Sequence, residues 1–363
     1  MQKLFKDVNV QKAILFLALL IILIILIELN YFISGFLGSV MLYVLTRKFY
    51  QKLTVQKKWN ENLAITLIIF LIIITFAIPF WILLEILIPK VNEFINDREG
   101  ILEKYNAIRV FLENNEFLKR FNITVSNEQI LQVVNKVISY IPSTLNWVGQ
   151  TFGNIFVALF ILYFMLKQSA MMEQKFKEIL PVSRESKKYF IHANAALIRS
   201  NAYGVPVLGL SQGIIAMIGY FIFGIDNAIF WGLLTGAASI VPVLGTMLIY
   251  VPISIYHAAT GDVTEGLILG AYCLTLVGGI DNVLRFTLLK KTADIHPLIT
   301  VFGVILGLQI FGVMGLIFGP VLLSLPGILY RVFEMERSFK NQADHEQEEL
   351  QHEGKILPDP ESM

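Results

Sequence analysis

A single cysteine, Cys273, stands in a chain of 363 residues, so no disulfide can form within it and no cysteine cluster can hold a metal. Charge is scarce too. Only 16% of the residues are Asp, Glu, Lys or Arg, against about 25% in an ordinary soluble domain. The net charge of +1 gives no electrostatic reason to expect a nucleic-acid partner. No His-Glu-x-x-His, no phosphate-cradling glycine loop and no dinucleotide fingerprint occurs. The expectation is therefore a non-enzyme with no metal and no cofactor. Without a nucleotide site, uphill transport would have to draw on an ion gradient or the membrane potential.

What the chain has instead is apolar length: 55% of its residues are hydrophobic and the mean hydropathy is +0.65. A bilayer core about 30 Å thick needs roughly 20 apolar residues of helix, because unsatisfied backbone groups cannot face lipid. Runs at 10–29, 31–46, 63–88 and 147–166 meet or approach that length. The first is preceded by Lys3, Lys6 and Lys12, but Glu28-Leu29-Asn30-Tyr31 offers no small-x-small cleavage site, so it reads as an uncleaved span. After residue 200 the runs shorten. Pieces at 202–224, 227–241, 246–259, 264–280 and 298–330 are interrupted by glycine and proline. The fold expected is all-α, a polytopic integral membrane protein with roughly eight membrane segments, some broken or re-entrant in the C-terminal half.

Five regions follow. Residues 1–89 are N-terminal spans forming a scaffold. Residues 90–146 form an amphipathic helical segment with seven acids and seven bases, where Ser126 and Gln129 make a capping box. Residues 147–200 hold the fourth span and a basic loop, 201–335 a glycine-rich transport region, and 336–363 a disordered tail. Residues 47–62 carry five bases against Glu61 alone, and 167–199 carry seven against three acids. Both loops should face the cytoplasm by the positive-inside rule, with both termini inside an inner, cytoplasmic membrane and 90–146 outside.

Nineteen of the 25 glycines fall between residues 201 and 330. Four-residue spacings recur at Gly209/Gly213, Gly232/Gly236, Gly266/Gly270, Gly303/Gly307 and Gly315/Gly319. Each spacing lets a second helix approach closely, either as static packing or as a surface on which helices slide. Polar residues inside the runs, Gln212, Thr235, Ser239, Thr246 and Gln309, should face the bundle interior or water. Asp281, Asn282 and Arg285 gather acid, amide and base within five residues. The carboxylate there either exchanges a proton or Na⁺ or makes a structural ion pair. Breaks around Pro242 and Gly245, and around Gly312, Gly315, Gly319 and Pro320, are expected to wall a cavity or gate. Gly209-Leu210-Ser211-Gln212-Gly213 fits the nucleophile-elbow pattern, yet it lies in a helical run and lacks the strand-turn-helix that an elbow needs.

Ile280-Asp281-Asn282-Val283-Leu284-Arg285, Ala293-Asp294-Ile295-His296-Pro297-Leu298, and Gly307 followed by Phe311-Gly312-Val313-Met314-Gly315-Leu316-Ile317-Phe318-Gly319-Pro320-Val321 together resemble blocks of the autoinducer-2 exporter (AI-2E) family. Val241-Pro242-Val243-Leu244-Gly245 is similar to another block of it. The resemblance implies a secondary transporter that moves a small hydrophilic solute or signal molecule by alternating access. The alternatives are a Na⁺(Li⁺)/H⁺ antiporter handling a monovalent cation and a proton, or a non-transporting scaffold whose 90–146 segment binds partners. It also implies a homo-oligomer, a pentamer among the candidates, embedded in the lipid bilayer. Phe286 stands where the family often has proline, and Leu308 where a second glycine is common.

Overall fold

The computed structural model describes residues 12, 15–21, 30–96, 98–114, 132, 141–239, 244–280, 283–284 and 297–354. Among them every regular element is helical. Residues 15–21 belong to the first apolar run and are helical, with Leu15, Phe16 and Leu17 exposed as lipid-facing side chains would be. A 3₁₀ turn at Asn30–Phe32 leads into α1 (Ile33–Gln51), and a π-helical turn (Lys52–Gln56) closes it before α2 (Glu61–Asn96). Next come α3 (Arg98–Asn114), α4 (Ile141–Lys167) and α5 (Ser169–Ile179). The C-terminal half holds α6 (Arg184–Ile222), α7 (Ala228–Ala238), α8 (Leu244–Thr260), α9 (Val263–Tyr272), α10 (Pro297–Phe311) and α11 (Gly315–Gly354).

Among the described residues, length and composition give four stretches able to cross a membrane: α2, α6, α9 with the turn that follows it, and the α10–α11 stretch. The α4–α5 pair, bent by 87°, makes a fifth if taken as one span. The first expected span lies largely outside the described residues, and α7 and α8 are shorter apolar helices, so these residues give four or five spans against the roughly eight expected. At 1.5 Å per residue they are about 17 and 26 Å long, while the 39 residues of α6 run about 58 Å.

Local signals account for the boundaries. Ser183 caps α6, its side chain accepting from the Ser186 amide, with Glu185 in the first turn to complement the helix dipole. Asp262 caps α9 through the Thr264 amide at 2.8 Å. Gly224 (φ +65°) and Asn227 (φ +56°) take left-handed conformations in the turn from α6 to α7. Two expectations are corrected here. Gly319 and Pro320 do not break a helix: α11 begins at Gly315 and runs through both, and the break before it is the 3₁₀ turn Gly312–Met314, where the φ of +57° at Gly312 reverses the chain between α10 and α11. The stretch from residue 336 is helix through Gly354 rather than a disordered tail, since its Glu, Gln, Lys and Ala residues are good helix formers.

Two apolar cores hold the helices. The first joins α1, α2 and α4 through Leu42, Ile65, Ile68, Leu162 and Leu166, and includes Leu197 of α6 and Phe318 of α11. The second joins the far half of α6 to α7, α8 and α9 through Ala216, Tyr220, Tyr250 and Leu269. The single cysteine, Cys273, is fully buried in that core. α6 therefore serves as the rod common to both. The 90–146 segment begins as the end of α2 and then α3, which packs along α8. The capping box lies outside the described residues.

Candidate functional site

Four of the five glycine spacings pair with one another. Gly209 and Gly213 of α6 face Gly236 and Gly232 of α7, a methyl on Gly213 lying 3.0 Å from the Gly232 carbonyl oxygen. Gly303 and Gly307 of α10 face Gly319 and Gly315 of α11, a methyl on Gly307 lying 2.7 Å from the Gly319 Cα. Both pairings run antiparallel. The fifth, Gly266/Gly270, packs α9 on Ala258 and Ser254 of α8. The close approach removes side chains from each seam, so backbone lies on backbone.

The α6–α7 seam is also where buried polar groups collect. Thr235 and Ser239 lie on the same α7 face as the glycines, and Gln212 sits beside Gly213 on α6. Thr235 Oγ1 donates to the Trp231 carbonyl at 2.7 Å, so the hydroxyl of Tyr220, 3.0 Å away, donates to it. Ser239 Oγ donates to the Gly236 carbonyl at 2.7 Å. Tyr272, whose ring lies on Gly219, donates to the Ile215 carbonyl at 2.9 Å. These hydroxyls are satisfied. Gln212 is the exception.

Gln212 is 3% exposed. Its Nε2 donates across to the Val277 carbonyl at 3.1 Å. Val277 closes a π-helical turn, Cys273–Val277, that continues α9. Single π turns inside α-helices recur at functional sites because they re-aim the residues beyond them. The Gln212 Oε1 is buried and has no hydrogen-bond partner among the described residues. An acceptor left so costs about 1–3 kcal/mol of desolvation. Such an oxygen is ready for a hydroxyl, an ammonium or a water that enters the seam.

The other expected site residues fall as follows. Gln309 is exposed on α10 and does not share the Gln212 seam, which corrects its grouping with Gln212. Its helix buries the glycine face, so a residue two positions past Gly307 turns outward. Gly245 is buried as the second residue of α8, at the edge of the α7–α8 break. Thr246 beside it is buried as well. Pro242, Asp281, Asn282 and Arg285 lie outside the described residues. Ser211 Oγ donates back to the Val207 carbonyl of its own helix at 2.7 Å, on an unbroken α6, so there is no elbow. Sequence reasoning missed Tyr220, Tyr272 and the π turn. Tyr in an apolar run reads as core, and a one-residue change of helical pitch leaves no compositional mark.

The seam is neutral and polar, closed by backbone contact between the membrane-length α6 and the shorter α7. Comparison with known sequences supplies the family. Residues 14–334 match the family described as AI-2E family transporter. The chain belongs to the AI-2E family. A relative from Aquifex aeolicus, named for an inferred transport role, is 28% identical over 291 residues, covering 74% of this chain and 81% of that protein. One from Methanothermobacter thermautotrophicus, named likewise, is 26% identical over 270 residues, 73% of this chain and 80% of that one. The Escherichia coli protein YdiK, also named for transport, is 33% identical over 214 residues, 56% of this chain and 57% of its own. Membership makes this AI-2E protein a multi-pass membrane protein of a transport family.

Proposed function

We propose that this AI-2E protein is a secondary transporter that moves a small hydrophilic solute or signal molecule across the cytoplasmic membrane by alternating access, along the seam between α6, α7 and the π turn after α9. The observation that carries the reading is the buried, unpartnered Oε1 of Gln212. A static bundle would fill that site with a donor or an apolar side chain, whereas a transporter leaves an acceptor open for its cargo. Support comes also from α7 and α8, apolar helices of 11 and 17 residues, each shorter than a membrane span. Interrupted helices at membrane depth are tolerated where they line a cavity. In this reading α7 and α8 form a re-entrant hairpin, the loops at 47–62 and 167–199 and both termini face the cytoplasm, and Asp281, Asn282 and Arg285 are the ion- or solute-binding candidates that the sequence offers. A homo-oligomer, pentameric in the family pattern, completes the proposal.

The test compares cells overexpressing the full chain with cells carrying Gln212→Leu at equal membrane levels. Extracellular autoinducer-2 should rise with the first and stay at background with the second. Undiminished release from Gln212→Leu would overturn the role of the seam. Proteoliposomes with an imposed Na⁺ gradient and a lumenal pH dye provide the second arm. A change of lumenal pH that Asp281→Asn abolishes would move the function to Na⁺(Li⁺)/H⁺ antiport.

A further inference from the structure

α5 buries none of its residues fully, yet it is fixed in place. It leaves α4 at Gln168 with a bend of 87°, so it runs across the axis of a membrane-length helix. Its Glu173 carboxylate holds the Arg47 guanidinium at the end of α1 and accepts a 2.6 Å hydrogen bond from the buried Tyr43 hydroxyl. Orientation about its own axis is thereby set. Met172, Phe176 and Ile179, spaced as one helical face, follow from that setting. Met172 packs on the first core, whereas Phe176 (48% exposed) and Ile179 (76%) overhang it. Lys175 and Lys177, both exposed, flank Phe176 about 100° to either side.

The surroundings are strongly basic. Residues 47–58 and 167–188, which meet at the Arg47–Glu173 pair, contain eleven bases and three acids. Of those acids, Glu173 is consumed by Arg47 and Tyr43, and Glu178 accepts from the Gln174 amide at 2.9 Å. With Met171 (52% exposed), three exposed apolar side chains on an eleven-residue helix are still far too little for a stable protein partner, which needs about 800 Å² per side. They suit an acyl chain. Two lysines that can reach past them suit the phosphate above it.

We propose that the α4–α5 corner is a binding site for anionic phospholipid, with Phe176 and Ile179 against the acyl chains and Lys175 and Lys177 on the headgroup phosphate. This is independent of what the protein transports. The Arg47–Glu173–Tyr43 clasp acts as a positioning device that presents the lysines at the level of the lipid headgroups.

Because Cys273 is fully buried, a fluorophore on Ala170→Cys, an exposed position of α5 outside the proposed contacts, reports on this corner in the full-length chain, the unsubstituted chain serving as the label-free control. The chain is reconstituted in a fixed mixture of phosphatidylcholine and phosphatidylglycerol, with a spin-labelled quencher carried by one lipid or by the other at the same mole fraction. Quenching by the phosphatidylglycerol should exceed quenching by the phosphatidylcholine, at an apparent preference of about fivefold per lysine. Lys175→Gln/Lys177→Gln should bring the two together, and Lys175→Arg/Lys177→Arg should keep them apart, which separates loss of charge from loss of fold. Equal quenching by both lipids in the unsubstituted-lysine protein would overturn the site. Quenching by neither would overturn it as well, since protein would then cover the corner.

Discussion

The two glycine seams use the same device and differ in what surrounds it. Between α10 and α11 the helices meet so closely that a methyl on Gly303 would lie 2.7 Å from both the Cα and the nitrogen of Pro320, and one on Gly319 would collide with the Gly303 carbonyl. Ser324 and Thr300 are the buried polar residues of those helices, and Ser324 bonds to its own helix. Between α6 and α7 the approach at the α6 glycines is looser, with 3.1 Å from a methyl on Gly209 to the Gly236 carbonyl. There Tyr220, Thr235, Ser239 and Gln212 crowd the contact. A seam with two buried hydroxyls and no buried amide has little to give a hydrophilic solute and serves best as a weld. In the proposed transport cycle, a seam lined by hydroxyls and an open amide oxygen is the one that would part and be refilled. The glycines alone do not separate the two roles. Their neighbours do.

If that contrast holds, its sharpest test is to thicken the weld. Gly319→Ala or Gly307→Ala places a methyl against backbone that cannot move aside, so the penalty should reach or pass the upper end of the about 1–3 kcal/mol usual for overpacking. Most of the protein should be lost from the monodisperse peak after detergent extraction, with a clear fall in Tm of the remainder. A well-folded Gly319→Ala protein would show that α10 and α11 are free to separate.

Gln212→Leu comes next and should divide activity from stability. It removes the bond to the Val277 carbonyl, a loss of about 1 kcal/mol, and it also removes an unpaired buried oxygen, a gain of similar size. Tm should stay within a few degrees while solute release drops to background. Gly213→Ala should do less. Its methyl meets the Gly232 carbonyl at 3.0 Å and the Gly236 Cα at 3.2 Å, contacts that ease if the helices shift by a few tenths of an ångström. Removing a mid-helix glycine returns about 0.5–1 kcal/mol. Expected, then, is a folded protein whose transport is reduced severalfold, measured against the parent chain at matched expression.

Much of this contrast was legible before any coordinates. Spacings of four named the faces that meet, and the polar residues within apolar runs named Gln212, Thr235 and Ser239. Which glycine pair meets which was not legible, since antiparallel partners far apart in the chain carry no mutual mark. Gln309 stood out in the sequence as strongly as Gln212, but two residues of helical phase separate an outward side chain from a buried one. The same limit hid the break. Gly315, Gly319 and Pro320 read as interruptions, yet within α11 the glycines serve approach, and Pro320 sits where Gly303 presses on it. Between α10 and α11 the interruption is the turn that Gly312 opens with its left-handed backbone, and Gly315 is the first residue of the helix beyond it.

The smallest effects give the cleanest comparison, because one chemistry can be removed from each seam. Ser239 Oγ donates to the Gly236 carbonyl and Ser324 Oγ to the Pro320 carbonyl, both at 2.7 Å, both within their own helices, and both side chains are buried. Each hydroxyl bonds to a carbonyl three or four residues back, so Ser→Ala should shift stability by no more than about 1 kcal/mol at either position. Around Ser324 nothing further should change, and solute release by Ser324→Ala should match the parent chain. Ser239 keeps lone pairs toward Gly209 in the polar seam. Ser239→Ala should therefore slow release about twofold to fivefold at an unchanged Tm. Equal release by the two variants would mean that the α6–α7 hydroxyls only hold helices together, and the distinction between weld and passage would then rest on Gln212 alone.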